Sequence, residues 1–487
     1  TSAGPTTHAI IIFDPSSSSF LSSISSLLSS SLTIDSFPSH RHPIEFADCS
    51  RKMGFENEAS SSSYTLKIPP AREDTPLLGK GPPLSSQFKT FANVFIAVVG
   101  AGVLGLPYAF KRTGWLMGVL LLVSVSVLTH HCMMLLVHTR RKLDSLNGGF
   151  SKIGSFGDLG FAVCGSLGRV VVDIFIILSQ AGFCVGYLIF IGTTLASVFD
   201  PESPTSLRHQ ITRLGSEFLG VSSKSLYIWG CFPFQLGLNS IKTLTHLAPL
   251  SIFADLVDLA AMAVVIVQDS MIIVKQRPDV VAFGGMSLFF YGMGVAVYSF
   301  EGVGMVLPLE SEMKDKDKFG KVLALGMGFI SLIYIAFGFL GYLAFGEDTM
   351  DIITGNLGAG LISTSVQLGL CVNLFFTFPL MMNPVFEIVE RRFSRGVYSA
   401  WLRWLLVLAV TLVALFVPNF TDFLSLVGSS TCCVLGFVLP ALFHLLVFKE
   451  EMGWKQRSMD TAIVGLGVVL AVSGTWSSLS EIFSVKV

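Results

Sequence analysis

Long apolar runs separated by short polar connections fill the chain from Phe88 onward. Most runs approach the ~20 residues that an α-helix needs to cross a bilayer, and they lack the strict apolar–polar alternation of membrane strands. Only helices and closed barrels satisfy every backbone hydrogen bond inside a bilayer, so the runs predict an all-α polytopic membrane protein. We predict eleven spans, at residues 91–110, 115–138, 170–199, 226–241, 247–267, 282–307, 320–345, 360–384, 401–417, 422–447 and 459–480.

Residues 1–87 have a different character, being polar and rich in serine. Such a segment has too little apolar surface to pack a core, so we predict a disordered cytosolic N-terminal tail. We expect residues 1–52 to be upstream sequence foreign to the native protein, with Met53 as its start. The alternative interpretation of residues 1–52 is a segment resembling a transit peptide.

The composition supports a membrane protein and argues against other classes. The chain is 52% hydrophobic and 13% charged, whereas soluble domains carry about a quarter charged residues. A formal net charge of −1 gives no basic surface for nucleic acid. The eight cysteines show no metal-ligand spacing such as C-x-x-C, so no metal and no cofactor are expected. Lys and Arg concentrate in the loops that are cytosolic if the N-terminus is cytosolic, which predicts that orientation.

The stretch "VVGAGVLGLP" in the first span contains Gly100, Gly102 and Gly105 in the G-x-G-x-x-G spacing of dinucleotide-binding sites. That fingerprint requires a preceding strand and an acid about 20 residues later, but the next acid is Asp144, beyond a whole apolar run. The glycines and Pro107 instead predict a broken transmembrane helix, whose unwound backbone lines a cavity. Close helix packing through small residues is the alternative.

The sixth span repeats this pattern with Gly302, Gly304 and Pro308. Spans one and six correspond if helices one to five and six to ten are two halves. Interrupted segments at matching places in two halves are the best sequence pointer to a transporter binding site. Halves with an odd number of spans must be inverted relative to each other, and the eleventh span then lies outside the repeat.

Three segments carry a family resemblance: "TFANVFIAVVGAGVLGLPYAFKRTGW", "SFGDLGFAVCGSLGR" and "YSFEGVGMVLPLESEMK". They resemble the amino acid/auxin permease family, and within it the plant vacuolar amino acid transporters, which are similar to the animal proton-assisted amino acid transporters. The resemblance extends from Met53 to the end. It implies that residues 88–487 are a transporter domain with the LeuT-like five-plus-five inverted repeat, and that amino acid transport is coupled to protons. The chain lacks a cysteine pair where the animal relatives have a lumenal or extracellular disulfide.

The resemblance also implies where substrate binds. The α-carboxylate is expected at the unwound backbone of Gly100, Ala101 and Gly102. The α-amino group is expected at carbonyls around Val98 and Val99 and near Ser299 and Phe300, beside Gly302. Helix N-termini suit an anion and free carbonyls suit a cation, so physical chemistry agrees. Phe300 and Tyr187 are candidates for the side-chain wall, and Asn373, in the middle of span eight, is a polar candidate.

An acid inside a membrane is costly when ionised and is a functional hypothesis by default. Glu301 is the first candidate for the proton carrier; the alternative is a structural acid that bonds free amides of the broken helix. Asp255 and Asp258 share one face of span five and are either a second protonation site or part of a water-filled vestibule. His130, His131 and His246 are predicted near helix ends as interfacial residues. No charged partner for a substrate side chain stands out, which favours small neutral amino acids.

The tail segment Glu73-Asp74-Thr75-Pro76-Leu77-Leu78 fits an acidic dileucine sorting signal. Glu73, Leu77 and Leu78 would be read by sorting adaptors, and with the resemblance they favour the vacuolar membrane; the plasma membrane is the alternative. The sequence therefore predicts a secondary active transporter that exports small neutral amino acids to the cytosol with protons, by alternating access. An amino-acid-sensing membrane scaffold is the competing hypothesis. An enzyme is not expected, because no H-E-x-x-H or facing pair of aspartates occurs.

Overall fold

The computed structural model describes residues 85–146, 153–199, 222–242, 248–275, 278–285, 288–358 and 360–484, with the backbone alone for residues 248–255. Helices dominate these ranges. They are α1 (Gln87–Val98), α2 (Leu106–Thr113), α3 (Trp115–Leu146), α4 (Phe156–Phe199), α5 (Ser223–Asn239), α6 (Ala248–Lys275), α7 (Phe289–Ser299), α8 (Val306–Glu312), α9 (Phe319–Phe345), α10 (Leu361–Phe393), α11 (Ala400–Phe416), α12 (Phe420–Val447) and α13 (Trp454–Ser484).

Helix length and composition make this a multi-pass membrane protein. Within the described residues, eight helices are long and apolar enough to cross a bilayer, counting the interrupted pair α7–α8 as one. The pair α1–α2, bent by 51°, adds a ninth. The helices α5 and α11, with 17 residues each, lie where shorter spans are predicted. The count of eleven spans and their five-plus-five arrangement stay predictions.

Two predicted spans are broken at their glycines. The first break comprises Val99, Gly100 and a 3₁₀ turn over Ala101–Gly105. The second comprises Phe300–Gly302 and a 3₁₀ turn over Val303–Met305. Helix α2 restarts with Pro107 in its first turn, where proline loses no hydrogen bond because that N–H has no intrahelical acceptor.

Several helices run past their predicted ends. Helix α3 continues to Leu146, so His130 and His131 lie at its middle, and their predicted position near a helix end is wrong. The added turns are rich in Arg, Lys and Leu, which favour helix in water as well as in lipid. Helix α6 continues to Lys275 rather than ending at 267. Helix α4 begins at Phe156 and is kinked at Cys164 and Gly165.

Helix α12 departs from regular geometry in its middle. Gly428–Cys432 and Val434–Val438 form wide π turns, which occur frequently at functional sites. The backbones of Gly428 and Gly294 approach so closely that a side chain on either would clash. The π segment of α12 therefore packs directly against α7, just before the second break.

The first described residue joins the start of the domain to α8. The N–H of Ser85 donates to the carbonyl of Glu312 across 2.8 Å, and the N–H of Lys314 donates to the carbonyl of Ser85 across 3.1 Å. Ser85 and Met313 form the isolated β-bridge of the described chain. The bridge fixes the entry into α1 to the end of the other broken helix.

Candidate functional site

The two breaks cross at van der Waals distance. A methyl group added to Gly102 would lie 2.9 Å from the Cα of Ser299, and one added to Gly302 would lie 2.8 Å from Cγ2 of Val98. The structure thus brings together the predicted backbone residues of both breaks, Val98–Gly102 and Ser299–Gly302.

The first break presents backbone donors. The N–H of Val99 closes α1 on the carbonyl of Phe95, and the 3₁₀ turn begins when the N–H of Val103 donates to the carbonyl of Gly100. The N–H groups of Ala101 and Gly102 lie in the first turn of a helix, where no intrahelical acceptor exists. Partial positive charge at such a start suits a carboxylate. A methyl group on Gly100 would meet nothing within 4 Å, so space is open there.

The second break presents backbone acceptors. The Ser299 hydroxyl is used by its own helix, donating to the carbonyl of Val295 across 2.9 Å. The last turn closes through Phe300 and Glu301, whose N–H groups donate to the carbonyls of Ala296 and Tyr298. The carbonyls of Ser299 and Phe300 follow this last closed turn, where a helix leaves its final acceptors unpaired. Partial negative charge there suits an ammonium group.

Tyr334 of α9, which the sequence did not single out, binds the first break. Its hydroxyl donates to the carbonyl of Val98 across 3.3 Å and also faces the N–H of Gly100. Its ring packs on Phe300, with the ring centroids 5.1 Å apart. Asp258 of α6 lies within electrostatic reach of the same hydroxyl. Tyr334 therefore contacts both breaks.

Tyr298, also missed, links the second break to α4. Its ring meets Phe183 edge to face, with centroids 4.9 Å apart. Its hydroxyl would lie 3.3 Å from a methyl group on Gly186, and Tyr187 is within electrostatic reach. The predicted wall residues Tyr187 and Phe300 are thus both buried near the breaks. Nothing in a single sequence distinguishes Tyr298 or Tyr334 from other tyrosines of apolar helices.

Glu301 is held by two contacts at the second break. Its carboxylate lies against the N–H of Val303 and the thiol of Cys432, which belongs to the π segment of α12. The contact with the N–H of Val303 fits a structural acid that bonds a free amide of the broken helix, which is the alternative to a proton carrier given above. The two roles are compatible, because the group that ties the break is also the acid nearest to it.

The structure does not link the other predicted residues to the breaks as clearly. Asn373 is buried on α10; its Oδ1 accepts from Thr377 of the same helix at 3.0 Å, and its Nδ2 has no partner among the described residues. Among the described residues, no hydrogen bond joins the Asn373 side chain to either break. Asp258 is half-buried. Outside what the structure describes lie the side chain of Asp255 and the whole of Glu73, Leu77, Leu78 and His246.

Asp269 is an intramembrane acid that the sequence analysis missed. It lies on the buried face of α6 with Ala261, Met262 and Val265 and is 0% exposed. Neither carboxylate oxygen has a hydrogen-bond partner among the described residues. The sequence contained the signal for it, because any acid within an apolar membrane helix is a candidate functional residue. The predicted end of the span at residue 267 excluded it.

Both ends of the broken helices are tied to neighbouring elements. At one end, Tyr291 of α7 donates to Oδ1 of Asp422 across 2.8 Å. Asp351 there accepts from the N–H groups of Phe420 and Thr421 at 2.6 and 2.8 Å. Burial raises the pKa of the Asp351 carboxyl, although these hydrogen bonds oppose the rise.

At the other end of the broken helices, Glu310 of α8 is fully buried and bonded to Arg140 and Arg141 of α3. Arg140 also donates to the carbonyl of Leu307 across 2.9 Å. Throughout the described ranges, no group of three or more His, Cys, Asp or Glu is suited to hold a metal ion.

Comparison with known proteins agrees with this architecture. Residues 84–480 match the family model described as transmembrane amino acid transporter protein. The chain is 93% identical over 436 residues to the amino acid transporter AVT3C of Arabidopsis thaliana, covering 89% of this chain and 100% of the relative. It is 37% identical over 445 residues to the amino acid transporter ANT1 of the same plant, covering 86% and 96%. Among solved structures it resembles inward-facing Mhp1, with a TM-score of 0.53, 14% identity and coverage of 84% of this chain and 94% of that one.

Proposed function

The chain belongs to the family of transmembrane amino acid transporter proteins, and on that premise we propose a secondary active transporter of small neutral amino acids in the vacuolar membrane. It moves its substrate to the cytosol together with protons, by alternating access. The observation that carries this proposal is the crossing of the two breaks at Gly102 and Ser299.

The crossing offers complementary partners to a zwitterion. The α-carboxylate binds the unwound backbone at Gly100, Ala101 and Gly102, through the N–H groups of Ala101 and Gly102 at the start of a 3₁₀ turn. The α-amino group binds carbonyls at the C-terminal ends of the two preceding helices. These are the carbonyls of Val98 and Val99 after α1 and of Ser299 and Phe300 after α7. One substrate that bridges the breaks would stabilise the arrangement in which they face each other, which couples binding to helix position.

Substrate size and charge follow from the surrounding side chains. Open space at Gly100 leaves room for a small side chain. The rings of Phe300, Tyr298 and Tyr187 supply an uncharged wall. A charged substrate side chain would lose its hydration here for no ionic partner, at a cost of several kcal/mol, roughly the desolvation penalty of a single ion. Neutral amino acids such as alanine avoid that cost.

Proton coupling rests on acids within the membrane. Glu301 is the first candidate, because its carboxylate contacts the N–H of Val303 within the break. Protonation removes the negative charge that this N–H stabilises, so proton and substrate binding affect the same backbone segment. Asp255 and Asp258 remain candidates for a second site, and Asp269 joins them.

The transport cycle uses the two ends described above. We propose eleven spans in a five-plus-five inverted repeat, an N-terminus in the cytosol, and rocking of one helix bundle against the other. The Tyr291–Asp422 contact and the Arg140–Glu310 contact then open alternately. A tail signal at Glu73, Leu77 and Leu78, read by sorting adaptors, would direct the protein to the vacuole.

The decisive experiment is efflux of labelled alanine from proteoliposomes that are acidic inside, with and without a protonophore. We expect efflux that falls when the gradient collapses. Glu301→Gln should retain alanine exchange but lose its response to the gradient, whereas Glu347→Gln, an exposed acid outside the breaks, should behave as wild type. Gradient-independent efflux by the wild type would replace coupling with facilitated transport. Alanine binding without flux would overturn the proposal in favour of a sensing scaffold.

A further inference from the structure

A groove on the outer surface of the helices lies apart from the two breaks. It runs between the start of α7, the π segment of α12 and the C-terminal half of α13, with a volume of about 870 Å³. Ligand sites commonly enclose roughly 300–1,000 Å³. From Ala471 to Glu481, α13 contributes about 15 Å of helix to the lining. We propose that this groove binds a membrane sterol.

The position of the groove selects a ligand from the bilayer. Helix α13 is long and apolar enough to cross a membrane, and Val472 and Trp476, both exposed, line the groove. Glu481 lies near the end of α13, whereas Ser430 lies within the π segment of α12. The groove therefore extends from the membrane interface toward the middle of the span, which is how a sterol is oriented in a bilayer.

The floor of the groove is flat and needs no polar partner. Ser473, Ser477 and Ser480 share one face of α13, because they are spaced by four and three residues. Their small side chains leave a smooth surface. The Ser480 hydroxyl donates to the carbonyl of Trp476 across 2.9 Å, and the Ser430 hydroxyl donates to that of Leu426 across 2.6 Å. Hydroxyls that are satisfied by their own helix accept an apolar neighbour without loss.

The charge at the interface end indicates a headgroup that donates a hydrogen bond. Glu481 lines the groove, and its Oε2 pairs with Arg112 across 2.6 Å. Arg112 also lies over the ring of Tyr291, 5.6 Å from its centroid. Within the described part of the chain, no Lys, Arg or His lines the groove. A carboxylate can accept several hydrogen bonds, so Glu481 suits a sterol hydroxyl and repels a phosphate.

Rigidity favours a sterol over an acyl chain. A flexible chain loses conformational freedom when a fixed groove holds it, whereas a fused ring system has little to lose. The rings of Phe290 and Trp476 and the side chain of Leu288 give such a body apolar contacts on α7 and α13. The flat floor matches the planar face of the ring system.

The groove joins helices that are already connected to a broken span. Phe290 of α7 lines it, and the carbonyl of the next residue, Tyr291, accepts from the Ser425 hydroxyl across 2.9 Å. The hydroxyls of Ser425 and Ser478 of α13 are 2.8 Å apart. A sterol that contacts α7, α12 and α13 together stabilises the present arrangement, because a ligand that binds only the folded state raises stability.

The test measures binding without transport, so its failure is distinguishable from failure of the proposed transport function. The purified full chain in phosphatidylcholine vesicles is irradiated with a photoactivatable cholesterol analogue, and mass spectrometry identifies the labelled residues. We expect labelling between Ala471 and Glu481 and at the start of α7, displaced by excess unlabelled cholesterol. Cholesterol should also raise the Tm of the protein in detergent.

Two variants with matched controls locate the site. Val472→Trp fills the groove, whereas Leu466→Trp places the same side chain at an exposed position of α13 outside the lining. Glu481→Ala removes the acceptor, whereas Arg112→Ala breaks the same ion pair but keeps the carboxylate. We expect Val472→Trp to abolish the labelling and Glu481→Ala to weaken sterol binding roughly tenfold, the effect of one hydrogen bond to a charged group. Both controls should be labelled as the wild type is.

Sterol labelling that Val472→Trp and Glu481→Ala leave unchanged would overturn the proposal. A photoactivatable phosphatidylcholine provides the other comparison. If it labelled the same residues and excess cholesterol did not displace it, the occupant would be an acyl chain and the sterol assignment would be wrong.

Discussion

Gly102 lies so close to Ser299 that a methyl group in place of its hydrogen would come within 2.9 Å of the Ser299 Cα. The two residues belong to different broken helices, and the obstacle is backbone rather than the end of a mobile side chain. The contact sets how near the donors of the first break come to the acceptors of the second. Substitution here therefore tests the substrate site without touching any functional group.

Gly102→Ala is expected to abolish alanine transport. The added methyl must push the breaks apart, and overpacking of this kind costs about 1–3 kcal/mol. The separation also moves the N–H groups proposed to bind the carboxylate away from the carbonyls proposed to bind the ammonium group. Initial rates in proteoliposomes and the Tm of the purified variant measure both effects, and wild-type flux in this variant would show that the crossing is irrelevant to transport.

Gly100→Ala is the matched change within the same break. Its methyl would meet nothing within 4 Å, and the Gly100 backbone is extended, with φ of −155°. We expect an unchanged Tm but a raised KM for alanine, because the methyl occupies space beside the carboxylate-binding amides. An unchanged KM in a well-folded Gly100→Ala protein would place the substrate elsewhere.

Tyr334→Phe should weaken substrate binding while preserving the fold. The ring keeps its packing on Phe300, but the hydroxyl that holds the Val98 carbonyl is lost. One neutral hydrogen bond contributes about 0.5–1.5 kcal/mol, which corresponds to a rise in KM of roughly two- to tenfold.

Tyr342→Phe is the control for this change, because Tyr342 is another tyrosine of α9, whose hydroxyl accepts from Val281 away from the breaks. It should leave KM unaltered. Equal KM values for wild type and Tyr334→Phe would remove Tyr334 from the site.

Asp269→Asn should leave the Tm close to that of the wild type. An ionised carboxylate without a partner is too costly at a buried position, so the structure accommodates a neutral acid, which asparagine mimics in shape. Thermal unfolding at neutral pH checks this. A Tm that falls by more than ~5 °C, which corresponds to more than 1 kcal/mol in a chain of this size, would show that the carboxylate has a partner.

The sequence alone predicted the helix breaks, because these depend on the backbone properties of glycine and proline. Gly100 and Gly302 mark the breaks because glycine and a following proline weaken a helix wherever they stand. Hydropathy also predicted the eight or nine spans found among the described residues, since each run must match the bilayer by itself.

The residues that the sequence analysis missed have roles that depend on where their side chains point in the folded protein. The role of Tyr334 requires knowing that α9 turns its hydroxyl toward Val98, which is a relation between residues 236 positions apart. Asp269 was lost for a simpler reason: Gln268 and Asp269 themselves lowered the local hydropathy, so the predicted span ended just before the acid.

The bridge between Ser85 and Met313 mechanically couples the start of the domain to the end of α8. Tension applied to the chain ahead of Ser85 is transmitted through two backbone hydrogen bonds to the end of α8, and from there to Gly302 and the second break. A protein that binds the tail would thereby pull on the second break from outside the membrane. Conversely, a movement of the second broken helix would be transmitted through the same two hydrogen bonds to Ser85 and the start of α1.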